Sequence, residues 1–507
     1  MKHTLWAALL CAPSIVFALD GQVGIHDPST IAISNGKFYT YGTGGASLVS
    51  DDGWSWRTGE TLPRRGLAPD VIHIGDRYFV YVAANSGPTK ADINLISNKT
   101  LDPSSPDYKW VEGGVVASSD GVEDSNAIDP GLLLDPNDGR LWLVYGSYFG
   151  YIRLVELNPK TGQRLQPIQA PRNIAINSEA AIMIFHDGWY YLLVTHGSCC
   201  RGADSGYNIR VGRAKKVTGP FLDNMGVDMI QGGGKLFAGS TGRLIGPGHF
   251  GLLDLGEGVQ KFSLHYEADL DRGGASVLDV RPLQWKDGWP VAGENLKEGA
   301  YQIESVRTGT AIEMAVEGMP VGGRPARGPQ GAGRGPGAPP AGQQAAGRGG
   351  PAGAAAPAGR GGGLFVGQGG VIPPQEAAQV SSNWPAGNVG VRMANYMSQA
   401  QQKWSIAPAP NGGGYPGAPY FKITVAGTDR VLAATADAEL VVLPAFTGAP
   451  EQLWRIDQLA DGSWRIMPKS IPNSTEPLSL SAVGSSFATL AKFDPASDKQ
   501  RWMLKVP

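Results

Sequence analysis

Four acidic residues and a histidine recur at one position of a repeated pattern in the first three hundred residues. In each repeat, alternating apolar residues, a turn and an aromatic-rich run follow this position. The five residues are Asp27, Asp70, Asp129, Glu179 and His249, at steps of 43, 59, 50 and 70 residues. Gathered in one place, they could perform general acid–base chemistry, in which one carboxyl group donates a proton and another acts on water.

The turns inside the repeats indicate which elements would position these residues. Asn35-Gly36 in the first repeat and Asp187-Gly188 in the fourth are typical of β-hairpins. Steps of this size, with several strands per step, are typical of propeller blades. The innermost strand of each blade lines the central channel, so a residue that opens this strand in every repeat is brought to one axis. We predict an all-β chain with a five-bladed β-propeller; a five-stranded sandwich would leave the repeated position unexplained.

The immediate neighbours of three acids suggest different roles. Glu179 lies in a Ser-Glu-Ala-Ala stretch whose apolar residues should raise its pKa by desolvation, so it is the candidate general acid. Asp27 follows His26 and precedes a proline, a polar setting that would keep it ionised as a general base. Asp129 could be the charged neighbour that orients Glu179 and holds its pKa high by repulsion.

These acids lie in longer motifs that run in order through roughly residues 20 to 290. The motifs are HDPS, RGLAPDVIHIGDRYFVYVAANSG, NAIDPGLLLDPNDGRLWLVYGSYFGYIRLVELNPKTG, NSEAAIMIFHDGWYYLLVTHGSCCRG, YNIRVGRAKKVTGPF and GPGH. Together they resemble glycoside hydrolase family 43, specifically the endo-α-1,5-L-arabinanases and their close relatives.

The resemblance implies a role for each acid. It implies that Asp27 is the general base, Asp129 the pKa modulator and Glu179 the general acid of an inverting hydrolase. An inverting mechanism requires Asp27 and Glu179 to lie about 6.5–9.5 Å apart, so that a water fits between them. The implied substrate is α-1,5-linked L-arabinan, a side chain of pectin in plant cell walls, cut internally. An exo-acting arabinofuranosidase or xylosidase and a non-catalytic polysaccharide-binding protein are the alternatives.

Further site residues follow from the same resemblance. His249 is implied as a contact of a channel metal, calcium with mostly water ligands. Because calcium prefers oxygen ligands, a different ion or a hydrogen-bonding role for His249 stays open. His26, Asn126 and Ser147 are candidates to bind sugar hydroxyls, and each could instead be a structural polar residue. The HYEAD stretch around His265 departs from the tyrosine-rich stretch of relatives, which leaves nearby subsites undefined.

The second half of the chain has a repeat of its own. A Gln-x-Trp triplet begins at Gln402, Gln452 and Gln500, at steps of 50 and 48 residues. This pattern resembles the ricin-type β-trefoil, in which the tryptophans pack the shared core. We therefore predict a propeller over residues 20–296 and a β-trefoil over 297–507, which either binds carbohydrate or serves as a scaffold. A Gly-, Pro-, Ala- and Arg-rich insertion at about 322–370 interrupts the trefoil and is predicted to be disordered.

The N-terminal sequence has the features of an export signal. Lys2 and His3 precede an apolar run from Leu5 to Leu19, which is too short to span a bilayer stably. We predict a signal peptide over residues 1–18, hence a secreted or periplasmic protein; a buried first strand is the alternative. No other segment is a candidate for a membrane span.

Charge and cysteine content narrow the possible partners. A net charge of −2 gives no indication of nucleic acid or a membrane surface as partner. The balance suits a neutral cell-wall polysaccharide, and we expect a monomer. Cys199 and Cys200 are adjacent and could form a vicinal disulfide in an oxidising compartment or remain two free thiols. The third cysteine, Cys11, lies in the predicted signal peptide, so Cys199 and Cys200 lack the further soft ligands of a metal site.

Overall fold

The computed structural model describes residues 19–87, 89–121, 126–316 and 374–507. The predicted signal peptide over residues 1–18 and the insertion at 322–370 lie outside these ranges. The described residues are mostly β-strand, with one short α-helix, α1 (Ala377–Val380). They also contain 3-10 turns at Thr43–Gly45, Gly202–Asp204, Met229–Gln231, Leu270–Arg272, Ser381–Asn383, Ala400–Gln402, Pro450–Gln452 and Asp498–Gln500. No helix in these ranges is long and apolar enough to cross a membrane.

Five sheets form the blades of a β-propeller, as predicted. Blade 1 contains β1 (Asp20–Gly21), β2 (Ala32–Ser34), β3 (Lys37–Tyr41), β4 (Ser47–Ser50) and β5 (Ser55–Thr58). Blade 2 contains β6 (Leu67–Ile74), β7 (Arg77–Gly87), β8 (Lys90–Asn98) and β9 (Val111–Asp120). Blade 3 contains β10 (Gly131–Leu134), β11 (Leu141–Tyr145), β12 (Tyr151–Leu157) and β13 (Arg172–Ile176). Blade 4 contains β14 (Glu179–His186), β15 (Trp189–His196), β16 (Asn208–Ala214) and β17 (Lys235–Ala238). Blade 5 contains β18 (Leu244–Asp254), β19 (Gln260–Asp269), β20 (Ala275–Lys286) and β21 (Trp289–Ala292).

The inner strands of neighbouring blades contact one another, and the N-terminal segment closes the ring. Contacts link β2 to β6, β6 to β10, β10 to β14 and β14 to β18. β1 runs parallel to β5 in blade 1. The residues after β1 then pair with β20 of blade 5, where Leu278 N donates to Val23 O at 2.8 Å and Ile25 N to Ser276 O at 3.2 Å. One short stretch of chain therefore joins the first blade to the last.

Each blade has a residue in the left-handed conformation, either within its inner strand or in the segment that leads into that strand. These residues are Asp27 (φ 53°), Ala68 (φ 41°), Asp129 (φ 52°), Ala180 (φ 49°) and His249 (φ 55°). The conformation costs a non-glycine residue about 1–2 kcal/mol. In blades 2, 4 and 5 it coincides with a register shift between the inner strand and its neighbour, a bulge that re-aims side chains.

These five residues correct the repeat predicted from the sequence. In blade 2 the repeated position is Ala68, two residues before Asp70. In blade 4 it is Ala180, one residue after Glu179. The sequence pattern placed acids at both positions because an acid lies within two residues of the true one in each blade.

Hydrogen bonds between blades hold the repeated position in place. In four blades the backbone N–H of the left-handed residue donates to a side chain of the preceding blade in the ring. The bonds run from Asp27 N to His265 Nδ1 (2.7 Å), Ala68 N to Thr43 Oγ1 (3.0 Å), Ala180 N to Asp129 Oδ2 (3.1 Å) and His249 N to Thr195 Oγ1 (3.1 Å). The backbone donor of each of these four left-handed residues is thereby satisfied, which offsets part of the backbone strain.

Asp70 links three blades through hydrogen bonds of its carboxylate. Its carboxylate is buried; Oδ1 accepts from Thr30 N of blade 1 at 2.9 Å and Oδ2 from Leu132 N of blade 3 at 3.0 Å. Burial raises the pKa of Asp70 to about 6, although the backbone donors act to lower it. Asp70 also lines one cavity with Ala180 and His249, and both of its oxygens accept from backbone donors of neighbouring blades.

The strands beyond β21 form the β-trefoil. They are β22 (Gly299–Ser305), β23 (Ala311–Met314), β24 (Val389–Ala394), β25 (Trp404–Pro408), β26 (Gly414–Tyr415), β27 (Ala418–Pro419), β28 (Phe421–Val425), β29 (Val431–Ala434), β30 (Leu440–Leu443), β31 (Trp454–Gln458), β32 (Trp464–Pro468), β33 (Leu478–Val483), β34 (Phe487–Lys492) and β35 (Trp502–Lys505). Ten of these strands join in one continuous sheet, and β26–β27 and β33–β34 form separate hairpins.

The Gln-x-Trp triplets are structural, as predicted. Trp404, Trp454 and Trp502 are fully buried in one apolar cluster. Their indole N–H groups donate to the carbonyls of Ile312, Leu432 and Leu480 at 3.0, 3.0 and 2.9 Å. Each triplet therefore fixes its own unit to the shared core by the same bond.

The trefoil lies directly against the propeller. The Glu257 carboxylate pairs with Arg465 Nη1 at 2.6 Å, and Asp52 Oδ2 accepts from Gly414 N at 3.0 Å. Beside these polar contacts, Val259 of the propeller packs against Leu459 and Phe493 of the trefoil. The two parts thus share an interface with both ionic and apolar contacts.

Replacing Asp70 with Asn tests its bracing role. The amide has only one acceptor oxygen, so one of the two buried backbone N–H groups would face another donor. We expect the unfolding free energy to fall by about 1–3 kcal/mol, measured from urea unfolding curves followed by circular dichroism. Asp107→Asn, which changes an exposed carboxylate of the same blade, is the control and should have almost no effect. Equal urea midpoints for the two variants would contradict the brace.

Candidate active site

Three acids predicted from the sequence converge on the propeller axis with His249. His249 Nδ1 lies 3.1 Å from Asp27 Oδ1. Asp129 Oδ2 accepts from the N–H of Ala180, the residue that follows Glu179, at 3.1 Å. Burial raises the pKa of Asp129, and the negative charges of Glu179 and Asp27 raise it further, so all three carboxyl groups interact. The structure therefore brings Asp27, Asp129, Glu179 and His249 into one site.

Asp27 is an ionised carboxylate fixed from several sides. Oδ2 accepts from Thr43 Oγ1 at 2.6 Å and lies 2.8 Å from His26 Nδ1. Burial acts to raise the pKa of Asp27, but the charge and hydrogen bond of His249, with the hydrogen bond of His26, hold it well below its usual value. Asp27 thus keeps its negative charge across the neutral and mildly acidic range.

His26 lies between two carboxylates. Its Nδ1 faces Asp27 Oδ2 at 2.8 Å and its Nε2 faces Glu267 Oε1 at 3.0 Å. Burial acts to lower the pKa of His26, but hydrogen bonds to Asp27 and Glu267 raise it to about 10. About a third of the His26 side chain remains exposed, so the ring reaches the surface of the site.

Glu267 and His265 lie beneath this pair. The Glu267 carboxylate is buried, accepts from Cys200 N at 3.0 Å and lies 3.5 Å from His265 Nε2. Burial acts to raise the pKa of Glu267, but His26 and His265 lower it to about 2. His265 is fully buried, so it supports Asp27 from below and has no surface on which a substrate could bind.

Asp129 and Glu179 form the opposite half of the site. Burial raises the pKa of both carboxyl groups, and each is raised further by nearby negative charge. Asp129 is buried, whereas Glu179 is partly exposed. At neutral pH this pair therefore tends to hold a proton, and Glu179 is the member that can pass it to a bound molecule.

Tyr207 is the direct partner of Glu179. Its hydroxyl donates to Glu179 Oε1, a bond that acts to lower the pKa of Glu179 against the larger effect of burial. Tyr207 itself is buried and stacks near His265, with ring centroids 6.3 Å apart. Glu179 is therefore oriented by a residue that directly precedes β16 of the same blade.

Asn126 and Ser147, predicted to bind sugar, pair with each other. Asn126 Nδ2 donates to Ser147 Oγ at 3.0 Å, and both residues are buried. Asn126 Oδ1 is buried and has no partner among the described residues, so it is available as an acceptor. Their role as sugar contacts stays a prediction.

Several residues of the site were not found from the sequence. Thr43, Tyr207, His265 and Glu267 come from outside the repeated position, on later strands or turns of their blades. The one available signal was the HYEAD stretch, where Glu267 interrupts the expected aromatic pattern. Cys199 and Cys200 form a disulfide, which resolves the two alternatives that the sequence left open.

Among the described residues, no group of side chains with metal-ligand spacing includes His249. His249 Nδ1 faces Asp27, so only its other ring nitrogen is left for a metal. The one group of described side chains with metal-ligand spacing is His26, Asp27 and His265, and these atoms already bond to one another and to Glu267. Calcium takes six to eight oxygen ligands, so water would have to supply almost all of them. Calcium at His249 stays a prediction.

The arrangement can perform paired acid–base chemistry. One side of the site carries a carboxylate whose pKa the histidines lower, and the other carries a pair of carboxyl groups whose pKa values burial raises. Environments that push the pKa values of neighbouring carboxyl groups apart are the pattern of a general base opposite a general acid.

The sequence matches known protein families in both parts of the chain. Residues 37–290 match the profile of the glycosyl hydrolases of family 43. Residues 384–491 match that of the ricin-type β-trefoil lectin domain-like proteins. The two matches fall on the propeller and on the trefoil, respectively.

Individual relatives align with the chain over nearly their whole length. The extracellular exo-α-(1→5)-L-arabinofuranosidase of Cellvibrio japonicus is 32% identical over 330 residues, which cover 58% of this chain and 93% of the relative. The extracellular endo-α-(1→5)-L-arabinanase 1 of Bacillus subtilis is 30% identical over 291 residues, covering 52% of this chain and 87% of the relative. A solved structure, an exo-1,5-α-L-arabinanase from a bovine ruminal metagenomic library, has a TM-score of 0.50 at 34% identity, covering 54% of this chain and 97% of its own.

Proposed function

Because this chain belongs to the glycosyl hydrolases of family 43, we propose that it hydrolyses α-1,5-linked L-arabinan with inversion at the anomeric carbon. The observation that carries the proposal is the opposed charge state of its carboxyl groups. Asp27 is held ionised beside two histidines, while Glu179 and Asp129 are held toward the protonated form. Inverting hydrolysis needs one group of each kind on opposite faces of the sugar ring.

In this proposal Asp27 is the general base. It accepts a proton from the water that attacks the anomeric carbon. The hydroxyl of Thr43 and the ring of His26 occupy Oδ2 at 2.6 and 2.8 Å, which fixes the carboxylate plane. Oδ1, which faces His249 at 3.1 Å, is the oxygen left to receive the proton.

Glu179 is the general acid that protonates the leaving oxygen. Asp129 supports it in two ways. Its Oδ2 accepts from the N–H of Ala180 and thus holds the backbone beside Glu179. The carboxyl groups of Asp129 and Glu179 also repel each other when both are charged, which disfavours ionisation of the pair. Once Glu179 has given up its proton, the Tyr207 hydroxyl stabilises the resulting carboxylate.

The proposed substrate is the arabinan side chain of plant cell-wall pectin. Both arabinan-acting relatives carry the word extracellular in their names, which supports export of this chain to the cell exterior or periplasm. The ricin-type trefoil suits a role in polysaccharide binding. His26, Asn126 and Ser147 are the proposed contacts for sugar hydroxyls. We propose that the chain acts as a monomer.

We propose internal cleavage, with cleavage from chain ends as the second candidate. The name of the Bacillus subtilis relative supports internal cleavage, whereas the Cellvibrio japonicus relative is named an exo-acting enzyme. Product lengths separate the two modes. An internal cutter releases a ladder of oligosaccharides at early times, whereas an exo-acting enzyme releases a single short product.

The proposal is tested by reducing-sugar release from linear α-1,5-arabinan. We expect Glu179→Gln and Asp27→Asn to lose about 100- to 10,000-fold in kcat/KM, because each removes one partner of the acid–base pair. Asp70→Asn is the matched control: a buried carboxylate beside the same inner strands, committed to backbone bonds, whose loss should leave activity intact well below the unfolding midpoint. In proton NMR of the first products, inversion predicts the β anomer at the new reducing end.

Two results would contradict this proposal. Near-normal turnover by either active-site variant would remove the assigned acid or base. Retention of the wild-type protein on arabinan without sugar release would instead indicate a non-catalytic binding protein.

Tyr207→Phe tests the assignment of Glu179 as the acid through the pH profile. The lost hydrogen bond lowers the pKa of Glu179 in the wild type, so its removal should raise that pKa. An acid that stays protonated to higher pH moves the alkaline limb of kcat/KM upward, by about one pH unit for a hydrogen bond to a charged group. Tyr190→Phe, which removes a 2.7 Å bond to Asp135 outside the site, is the control. An alkaline limb that stays in place or moves downward in Tyr207→Phe would contradict the assignment.

A further inference from the structure

Glu267 makes contacts that the catalytic roles above leave unexplained. Its side chain is only 3% exposed, yet both oxygens are engaged. Oε1 lies 3.0 Å from His26 Nε2, and Oε2 accepts from the N–H of Cys200 at 3.0 Å. A carboxylate is costly to bury unless its partners compensate, so a buried acid with such specific partners calls for a function.

The ring of His26 shows what that function is. A neutral imidazole has one N–H donor and one bare nitrogen, whereas the imidazolium has two donors. Each nitrogen of His26 faces a carboxylate oxygen, at 2.8 Å toward Asp27 and 3.0 Å toward Glu267. A bare nitrogen in either place would oppose an acceptor with an acceptor. Only the cation satisfies both contacts, and it can do so in only one ring orientation.

We propose that Glu267 is a positioning residue for the general base: its buried carboxylate holds the His26 ring as a cation against Asp27. Through this ring Glu267 fixes the plane of the Asp27 carboxylate, although it touches neither the water nor the sugar. This inference rests on the proposed function for its catalytic consequence, but the charge state of His26 can be measured without any substrate.

The same carboxylate ties the disulfide loop to the base. Cys200, in the left-handed conformation at φ 61°, donates its N–H to Glu267 Oε2 and is bonded to Cys199. The loop between β15 and β16 therefore has its backbone anchored on the residue that orients His26. A buried anion with a backbone donor on one oxygen and a cation on the other is held in one rotamer.

Four titratable residues around His26 affect the charge of its ring: Asp27, Glu267, His265 and His249. Asp27 and Glu267 favour its cationic form. His265 stacks on it with ring centroids 4.7 Å apart and has a lowered pKa because of burial, so it faces His26 as a neutral ring. His249 interacts with His26 through charge, and the charge of His26 acts to lower the pKa of His249. Among the described residues, removing the Glu267 charge thus leaves Asp27 as the anion that pairs directly with the His26 cation.

The loss of Glu267 should also affect the acid. The negative charge of Glu267 is one of the effects that raise the pKa of Glu179. Without it that pKa falls, and the alkaline limb of kcat/KM moves to lower pH. The acid limb moves little, since Asp27 alone keeps His26 protonated in the acidic range.

The experiment is a titration of His26 by proton–nitrogen NMR on the full chain with labelled histidine, without substrate. The His26 signal is assigned by its absence in His26→Asn. We expect both ring nitrogens of the wild type to stay protonated through pH 8. In Glu267→Gln the ring should lose its proton at a pH lower by about one to two units, the effect of removing one adjacent opposite charge. Glu313→Gln changes an equally buried glutamate in the trefoil and should not move the titration.

Kinetics on linear arabinan supply the second readout. We expect kcat of Glu267→Gln to fall about tenfold with KM nearly unchanged, because the base is misaligned while sugar contacts persist. An unchanged kcat would overturn the positioning role, and so would a His26 ring that is neutral at pH 7 in the wild type. The charge state of His26 is measured on the wild type, so it tests the inference even if Glu267→Gln fails to fold. Absence of arabinan hydrolysis by the wild type would contradict the proposed function instead, and the His26 titration would be unaffected.

Discussion

The site depends on a strained backbone residue in each blade, which lies within the inner strand or in the segment that leads into it. Five residues adopt the left-handed conformation there, and in four blades the N–H of that residue bonds to a side chain of the preceding blade. The bond fixes both this residue and its neighbour in the preceding blade. In blades 1 and 3 the strained residues are Asp27 and Asp129, and in blade 4 the strained Ala180 aims the preceding Glu179. The same backbone bonds therefore join neighbouring blades and position the carboxyl groups of the site.

The charge pattern follows from what each blade contributes to the axis. Blade 5 supplies His249, His265 and Glu267, which together with His26 surround Asp27 and keep it anionic. Blades 3 and 4 supply acids and a tyrosine to the opposite side, where burial raises the pKa of Asp129 and Glu179 although the charge of His249 acts to lower both. One channel thereby contains two carboxyl environments of opposite character. The two sides of the site differ in the side chains that their blades supply, because the left-handed backbone residue recurs in all five blades.

Sequence reasoning identified the repeat, the fold and the three acids because each leaves a periodic or motif-based signal. Turn residues between alternating runs indicated blades, and the Gln-x-Trp triplets indicated the trefoil. The register of the repeat was less certain. Asp70 and Glu179 each lie within two residues of the true position, and only the backbone conformation shows that Ala68 and Ala180 occupy it.

The residues that sequence reasoning missed share a physical reason. Thr43, Tyr207 and Glu267 reach the axis from later strands or turns, at spacings that differ from blade to blade, so no period reveals them. Likewise, Asn126 and Ser147 could be selected from their motifs, but their bond to each other depends on tertiary contact.

The central claim is that Asp27 and Glu179 act from opposite sides of one bound sugar. A crystal structure of Glu179→Gln with a linear α-1,5-arabino-oligosaccharide tests it most directly. We predict a glycosidic oxygen within hydrogen-bonding distance of the side chain at position 179, with a water on Asp27 facing the opposite side of the anomeric carbon. An oligosaccharide bound with no glycosidic bond between these two residues would contradict the account.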